Sequence, residues 1–298
     1  MRFSLRQVEV FLATAKMSTI SRAAESLSLS QSAASSALQD LEHRYDTQLF
    51  DRVGKRLKLN AAGRNLFPEA ESLLKQAEAV DAILSEREAH ASLKIGATMT
   101  IGNYLAVALI SRYRRLHPSA DIRIHVANTT EIAEMILAYE LDMGFLEGEY
   151  SHADLNFEKW RDDELVVFAS SNHALAKKNE LTTADIASVK WVLRERGSGT
   201  RQAFDRAMHD IVGDIKIDFE LEHTEAIKRT VEEGESLGCL SRIAVQDALR
   251  SGRFVELAMP NRDMQRNFYV VTHKKKYHDV SLKSWLAFCQ QQAEGVSD

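Results

Sequence analysis

Residues 30–45, SQSAASSALQDLEHRY, are the stretch that decides the fold of the N-terminal region. Ser30 can cap a helix there, because its hydroxyl can accept a hydrogen bond from a free N–H of the first turn. One face of that helix repeats apolar residues at intervals of three and four: Ala34, Leu38, Leu41 and Tyr45. The opposite face carries uncharged side chains that have hydrogen-bonding groups: Gln31, Ser32, Ser35, Ser36 and Gln39.

The residues before this helix predict two more helices. The first has an apolar face at helical spacing, made of Leu5, Val8, Phe11, Leu12 and Ala15. We expect Ser18 to cap a second, short helix that runs through Ser26. Residues 27–29 then have the length of the turn in a helix-turn-helix motif, whose second helix would be the polar-faced one.

A basic hairpin is predicted next, over residues 49–60, LFDRVGKRLKLN, with Gly54 at its tip. Its cations are suited to phosphate or minor-groove contacts. A polar helix face and a basic tip can each be simply solvated, but together they favour a winged helix-turn-helix DNA-binding domain over residues 1–59. The candidate DNA-contacting residues are Arg22, Gln31, Ser32, Ser35, Ser36, Gln39, Arg52, Lys55 and Arg56.

The charge distribution supports this interpretation. Residues 1–64 contain ten Lys and Arg against six Asp and Glu, a surplus of four positive charges. The whole chain of 298 residues carries −5, so the remainder carries −9. A basic head on an acidic body indicates a polyanionic partner at one end, here double-stranded DNA.

The sequence also predicts a cytoplasmic protein with no membrane partner. Cys239 and Cys289 are the only cysteines, which excludes a disulfide framework and suits a reducing compartment. No apolar run approaches the roughly 18–20 residues that span a bilayer. The N-terminus carries Glu9 within its apolar stretch and lacks a small-residue cleavage site, so we interpret it as an amphipathic helix.

Residues 60–90 predict a long linker helix that begins after a cap at Asn60. Small and apolar residues repeat at alternating intervals of three and four: Gly63, Leu66, Ala70, Leu73, Ala77, Val80 and Leu84. A seam of this length cannot be buried by so small a head, so we expect Leu66, Leu73 and Val80 to form a dimerisation surface. Pro68 predicts a kink or a break into two helices.

Residues 91–298 alternate short apolar strands with helices in two successive sets. That pattern predicts two α/β lobes built on mostly parallel sheets, with the final strand NFYVVTH returning to the first lobe. Ligands of open α/β sheets bind at the carboxyl ends of the strands. A binding site between the two lobes is therefore expected.

Three loops at these strand ends are rich in small hydroxyl side chains: residues 97–102, 128–130 and 194–201. Each leads into a helix, and a helix N-terminus with adjacent Ser or Thr is suited to an anion. Each loop alone is more often an ordinary cap, but three of them in the two lobes predict a small anionic effector. The candidate effector-binding residues are Thr98, Thr100, Asn128, Thr129, Arg194, Ser198 and Thr200.

Three other classes of protein are alternatives: an enzyme, a solute-binding protein and a redox-responsive regulator. No phosphate-binding, zinc-protease or nucleophile-elbow motif occurs, and the histidines have no metal-ligand spacing, so we predict no enzyme, no metal and no cofactor. A solute-binding protein would share the two lobes but would need export and would lack the basic head. A redox-responsive regulator that uses Cys239 is the other alternative, although a buried structural thiol is more common in such a strand.

Residues 5–63 resemble the LysR-type DNA-binding domain along their whole length. The matching marks are RQVEVF, the AAE of the second helix, SQSAASSALQDLE, LFDR and LNAAG. The family often has Pro at the position of Ser32 and a cation near Ser36. The resemblance implies a transcription regulator with a winged helix-turn-helix, a linker helix that dimerises, and a periplasmic-binding-protein-like sensor domain. It also implies a homodimer that pairs again into a homotetramer.

Three stretches resemble a narrower branch of this family, the YeiE-like regulators: residues 126–148, 192–205 and 223–241. Some relatives in that branch sense sulfur oxyanions. The resemblance therefore implies a sulfur oxyanion or a small carboxylate as the effector between the lobes. Glu235 and Ser236 stand where family members commonly have Gly followed by Leu or Ile.

Overall fold

The computed structural model describes residues 2–54, 56–84, 92–148, 150–178 and 180–294. The chain divides into two compact units. The first comprises Met1–His90 and Lys275–Lys283, and the second comprises Ala91–Lys274 and Ser284–Asp298. The sequence does not anticipate that Lys275–Lys283 groups with the first unit.

The first unit contains three helices, a hairpin and a long helix. These are α1 (Leu5–Met17), α2 (Ile20–Ser26), α3 (Gln31–Arg44), the strands β1 (Phe50–Val53) and β2 (Arg56–Leu59), and α4 (Ala61–Leu84). Ser30 caps α3 as predicted, since its Oγ accepts a hydrogen bond from the Ala33 N–H at 3.2 Å. The two strands pair antiparallel, which confirms the predicted hairpin.

The predicted cap of the second helix is wrong by one residue. Ser18 has a left-handed backbone, with φ at 59°, and ends α1. An N-cap needs an extended backbone, and Thr19 has it. The Thr19 hydroxyl accepts a hydrogen bond from the Arg22 N–H at 3.4 Å and so begins α2.

Aromatic packing joins these elements into one core. The Phe11 ring of α1 lies 5.6 Å from the Phe50 ring of the hairpin and 6.4 Å from the Phe67 ring of α4, measured between centroids. The start of α4 approaches the hairpin so closely that a Cβ on Gly63 would lie 2.2 Å from the Leu49 carbonyl oxygen. Only glycine fits at that position.

The linker helix is continuous from Ala61 to Leu84, so of the two effects predicted for Pro68, a kink or a break into two helices, the break does not occur. Asn60 caps it as predicted, because its Oδ1 accepts a hydrogen bond from the Gly63 N–H at 2.9 Å. Pro68 removes one backbone hydrogen bond, but Phe67 and Ala70 beside it are buried in the head. Packing on both sides of the proline therefore holds the helix together. Residues 85–90 of the predicted linker lie outside the described residues.

A buried carboxylate ties α4 to its neighbours within the first unit. Glu71 accepts hydrogen bonds from Lys16 of α1 at 3.1 Å and from Lys276 at 3.0 Å. The Lys276 side chain is only 3% exposed. One turn further along, Lys75 pairs with Asp279 at 3.1 Å. Residues 275–283 are thus held on α4 by two ion pairs.

The second unit is an α/β assembly. Its strands are β3 (Leu93–Thr98), β4 (Ile122–Ala127), β5 (Met143–Glu147), β6 (Leu155–Ser170), β7 (Lys190–Arg194), β8 (Lys216–Leu221), β9 (Ser236–Ser241), β10 (Phe254–Glu256) and β11 (Gln265–His273). Its helices are α5 (Met99–Ile101), a π-helical turn (Gly102–Ala106), α6 (Val107–Leu116), α7 (Thr129–Leu137), α8 (Thr183–Ser188), α9 (Gly199–Ala207), a 3₁₀ turn (Val212–Asp214), α10 (Thr224–Glu232) and α11 (Arg242–Arg250). The last helix, α12 (Val280–Glu294), begins in the first unit and continues into the second from Ser284.

Two lobes share this sheet. In the described residues the strand order is β4-β3-β5-β11-β6-β9-β7-β8, with β10 beside β6. Strands β3, β4 and β5 are parallel and form lobe I, while β7, β8 and β9 are parallel and form lobe II. The long strands β6 and β11 run antiparallel between them, and β11 pairs with β5. The predicted return of the final strand to the first lobe is confirmed.

Each lobe has its own apolar core. The core of lobe II surrounds Trp191 and Phe204, whose ring centroids lie 5.0 Å apart, and that of lobe I surrounds Ile132 and Ile136. Among the described residues, no helix is both long enough and apolar enough to cross a lipid bilayer.

The buried Glu71 carboxylate yields a stability prediction. Burial raises the pKa of Glu71, but the charges of Lys276 and Lys16 outweigh that effect, so its pKa lies below the usual range. A depressed carboxyl pKa stabilises the fold above the unfolded pKa of about 4.3, and that stabilisation is lost as pH falls through the folded pKa. We expect Glu71→Gln to destabilise α4 by about 1–3 kcal/mol at pH 7, as measured by hydrogen exchange of its amides.

The matched control is Glu78→Gln, because Glu78 is exposed on the same helix. The difference between wild type and Glu71→Gln should shrink as pH falls below about 4. Equal protection in both variants at pH 7 would contradict the assigned role of Glu71.

Candidate nucleic-acid interface and effector site

The polar face of α3 is open to solvent. Gln31, Ser32, Ser36 and Gln39 are exposed, and Ser35 is half-buried. The Ser32 hydroxyl lies 3.1 Å from that of the capping residue Ser30. The face therefore presents hydroxyl and amide groups of the kind that meet base edges and phosphates.

The predicted basic residues outside α3 are also accessible. Arg22 is exposed on α2, and Arg52 and Arg56 are exposed on the two strands of the hairpin. Lys55 lies outside the described residues. The Leu57 N–H of β2 donates to the Ser18 carbonyl at 2.9 Å, so the hairpin is fixed to the junction of α1 and α2. The helices of the head therefore fix the position of the hairpin.

An apolar groove follows the first turns of α4. Its volume is about 470 Å³. The predicted dimerisation residues Leu66 and Leu73 line it and are half-buried, while Val80 further along the helix is 56% exposed. The groove is bounded by Phe3, Val8, Leu41, Tyr45, Thr47, Leu49, Ala62, Leu66, Glu69, Ala70 and Leu73.

One guanidinium group in the second unit gathers residues from both lobes. Arg266 donates from Nη1 to the Thr200 hydroxyl at 2.9 Å and from Nη2 to Glu147 at 3.1 Å. Its Nη2 also lies 3.5 Å from the Thr100 hydroxyl, and its Nε donates to Asp163 at 2.6 Å. We call these five residues the Arg266 cluster. The structure thus brings the predicted residues Thr100 and Thr200 together, on an arginine that the sequence reasoning missed.

The loops on either side of this cluster also bind each other. The Thr129 hydroxyl donates to the Glu147 carbonyl at 2.9 Å and accepts from the Gly199 N–H at 3.2 Å. A Cβ on Gly199 would lie 1.9 Å from the Glu147 carbonyl oxygen, so the lobes meet this closely only because residue 199 is glycine. We call the region where residues 98–104 of lobe I approach residues 194–200 and 222–225 of lobe II the interlobe crevice.

Two predicted residues act mainly as helix caps. The Ser198 hydroxyl accepts from the Thr200 N–H at 3.2 Å, and the Asn128 side chain accepts from the Glu131 N–H at 3.0 Å. These hydrogen bonds are local and would form with or without a ligand. Asn128 and Ser198 remain predicted effector residues with an observed structural role.

Three buried polar atoms around the crevice have no hydrogen-bond partner among the described residues. They are Thr98 Oγ1, Arg194 Nη1 and Thr224 Oγ1. Arg194 is 1% exposed and pairs with Glu195 through Nε at 2.7 Å and Nη2 at 2.9 Å, which leaves its Nη1 unused. Thr98 and Arg194 were predicted from the sequence, whereas Thr224 was not.

A second bridge between the lobes lies at the first turn of α10. The Tyr104 hydroxyl donates to Glu225 at 3.0 Å. Burial and the Glu225 charge raise the pKa of Tyr104 above its usual range. The contact places Thr224, the neighbour of Glu225, beside lobe I.

The loop that carries Ser198 also lines a cavity. Its volume is about 660 Å³, and Thr129, Tyr150, Arg196, Arg201 and Gln202 are among its lining residues. Arg201 is committed to ion pairs with Asp205 at 2.9 Å and Glu220 at 2.7 Å. The most buried cation of this cavity wall therefore already has partners within lobe II.

The thiols do not favour redox chemistry. Cys239 and Cys289 are free and buried. Burial raises the pKa of Cys239 to about 12 and also raises that of Cys289. The reactive thiolate is therefore scarce at neutral pH. Among the described residues, no group of His, Cys, Asp or Glu side chains is arranged to hold a metal ion.

A DNA-binding head and a two-lobed α/β domain define a ligand-responsive DNA-binding protein, and family comparisons agree. Residues 5–64 match the bacterial regulatory helix-turn-helix model of the LysR family, and residues 86–294 match the LysR substrate binding domain. The chain belongs to the LysR family of transcriptional regulators. It combines a DNA-binding helix-turn-helix with an effector-binding domain.

The chain is similar to known proteins over nearly its whole length. It is 39% identical to the uncharacterized HTH-type transcriptional regulator YeiE of Escherichia coli K12, over 97% of this chain and 98% of the relative. A full-length OxyR of Pseudomonas aeruginosa, in a variant with aspartate in place of one cysteine, matches with a TM-score of 0.75 at 19% identity, over 100% of this chain and 96% of that one. The CcmR regulatory domain of Synechocystis in complex with 2-PG matches with a TM-score of 0.64 at 23% identity, over 69% and 98%.

Proposed function

We propose that this regulator reads specific DNA sites through α3 and the hairpin and is controlled by a small anion bound in the interlobe crevice. A sulfur oxyanion or a small carboxylate is the class of effector that fits best. The protein acts on chromosomal DNA, so we place it in the cytoplasm, and we infer that it has no catalytic role.

The three unpartnered polar atoms carry the effector part of the proposal. A buried donor without a partner costs about 1–3 kcal/mol, so three around one crevice indicate a ligand that satisfies them. Two of these atoms are hydroxyl oxygens and one is a guanidinium nitrogen. All three can donate hydrogen bonds to an oxyanion. CcmR, whose regulatory domain has the same fold, holds the small anion 2-phosphoglycolate.

Thr98 offers the sharpest test of the effector site. It begins α5, yet its hydroxyl makes no capping hydrogen bond. We expect Thr98→Val to weaken binding of the best anion about fivefold, because about 1 kcal/mol of hydrogen bonding is lost without a change of shape. Calorimetry on the full chain with sulfite, sulfate and small carboxylates measures it.

Thr14→Val is the matched control, because the Thr14 hydroxyl is equally buried and unpartnered but lies in the first unit. It should leave anion affinity unchanged. If the best ligand proves large and apolar, or if Thr98→Val binds the anion as wild type does, the effector assignment is wrong.

DNA recognition is expected to separate into two kinds of contact. Arg52→Ala and Arg56→Ala should weaken binding to all sequences and reduce the slope of log K against log salt by about one each, because each cation neutralises a phosphate. Gln31→Ala should instead relax the base preference, costing about 1–3 kcal/mol on the preferred site only. Binding to duplexes selected from a randomised pool, at several salt concentrations, measures both.

Arg250→Ala is the control for the loss of one positive charge, since Arg250 is exposed in the second unit. Its salt slope should equal that of wild type. A full loss of site preference in Arg52→Ala with an unchanged salt slope would contradict the division into phosphate and base contacts.

We further propose that the α4 groove is the dimer seam, occupied by the same helix of a second copy, and that the dimers pair into a homotetramer. The groove is apolar and is lined by Leu66 and Leu73, and Val80 continues their seven-residue repeat further along α4, as coiled-coil partners require. Leu73→Asp should lower the oligomeric state at micromolar concentration, because it places a charge in an apolar seam. Light scattering measures the mass of the assembly and so gives the oligomeric state.

Gln76→Asp adds the same charge to the exposed part of the same helix and should leave assembly intact. A monomeric wild-type chain at micromolar concentration would remove the seam assignment.

A further inference from the structure

The Arg266 cluster contains an imbalance of charge. Arg266 is its one cation, and Glu147 and Asp163 are its two carboxylates. All three side chains are 1% exposed, so bulk water does not screen them. Among the described residues, the other side chains that hydrogen-bond to these three are the neutral hydroxyls of Thr100 and Thr200 and, on Asp163, that of Ser241 at 2.6 Å.

The charged and titratable groups on the neighbouring strands do not cancel this surplus negative charge. Burial lowers the pKa of Arg161 on β6 and the charge of Asp163 acts against that, but the Arg161 side chain is half-exposed. The Cys239 thiol of β9 faces Arg266 and is protonated at neutral pH, because burial raises its pKa to about 12. The buried part of the cluster therefore holds one more negative charge than positive.

Glu147 occupies a set of donors suited to a free anion. One carboxylate oxygen accepts from the Thr200 hydroxyl at 3.3 Å, and the other accepts from Arg266 at 3.1 Å. A guanidinium and a hydroxyl at the start of a helix are the groups that bind oxyanions in proteins. Thr200 also lies in the loop that the sequence singles out for anion binding.

We propose that Glu147 is an internal substitute for the effector. The bound anion replaces the Glu147 carboxylate on Arg266 and Thr200, and the Asp163 carboxylate takes up one proton as it does so. This inference rests on the proposed effector site and names its regulation: the affinity for the anion depends on pH, and Glu147 sets that affinity.

The proton follows from electrostatics. An anion added to a buried cluster that already has a surplus negative charge is repelled unless one carboxylate is neutralised. Burial already raises the pKa of Asp163, and the Glu147 charge adds to that, although Arg266 and Ser241 act against it. Uptake of one proton makes affinity rise as pH falls, by up to about tenfold per pH unit.

Calorimetry on the full chain with sulfate tests the proposal directly. Sulfate does not change its charge between about pH 6 and pH 8.5, so any proton exchanged comes from the protein. Titrations in two buffers of different ionisation enthalpy count the protons taken up. We expect close to one proton per anion for wild type near pH 7, and an affinity that rises as pH falls.

Glu147→Gln keeps the shape of the side chain and removes its charge. It should bind sulfate about tenfold more tightly than wild type at pH 8 and take up almost no proton. Glu134→Gln is the matched control, because it removes the same charge from an exposed position on α7 of lobe I, outside the interlobe crevice. It should keep the proton uptake of wild type.

The outcomes separate the two proposals. If the wild-type protein binds sulfate without taking up a proton, the role of Glu147 is wrong but the effector site is supported. The same conclusion follows if Glu147→Gln binds sulfate more weakly than wild type does. If neither protein binds sulfate, sulfite or a small carboxylate at any pH, both proposals fail. The number of protons taken up is measured on the wild-type protein. The role of Glu147 can therefore be contradicted even if Glu147→Gln folds poorly.

Discussion

The second unit depends on the buried hydrogen bonds and ion pairs that the Arg266 guanidinium makes. The guanidinium donates hydrogen bonds to Glu147 at the end of β5, to Asp163 on β6 and to Thr200 at the start of α9. Two strands of the sheet and the start of one helix are therefore held by one side chain that water does not reach. Breaking such a buried pair by removing one partner costs about 3–5 kcal/mol, because the other charge is left without compensation. A cluster of this kind favours one arrangement of the lobes.

The strand that carries Arg266 also leads to the DNA-binding unit. β11 continues from Arg266 to His273, and the chain then enters Lys275–Lys283, which packs with the first unit. There Lys276 meets Glu71 of α4, and Glu71 also holds Lys16 of α1. The chain thus runs from the interlobe arginine along one strand to a segment that an ion pair with one buried carboxylate holds in the first unit.

Local patterns made much of the fold predictable. The caps at Ser30 and Asn60, the hairpin around Gly54 and the return of the last strand follow from signals a few residues long. Of the two effects expected at Pro68, the break does not occur because packing overrode a local signal: the helix continues where its neighbours are buried. Glu147, Asp163 and Arg266 were missed because each is a single charge at or within a strand. Only the folded sheet shows that Glu147 and Asp163 bind a guanidinium that lies more than a hundred positions further along the sequence.

A crystal structure of the full chain grown with sulfate tests the central claim most directly. The account predicts sulfate within hydrogen-bonding distance of the Arg266 guanidinium and the Thr200 hydroxyl, with the Glu147 carboxylate turned away from both. Sulfate bound elsewhere in the interlobe crevice, while Glu147 keeps its hydrogen bonds to Arg266 and Thr200, would contradict it.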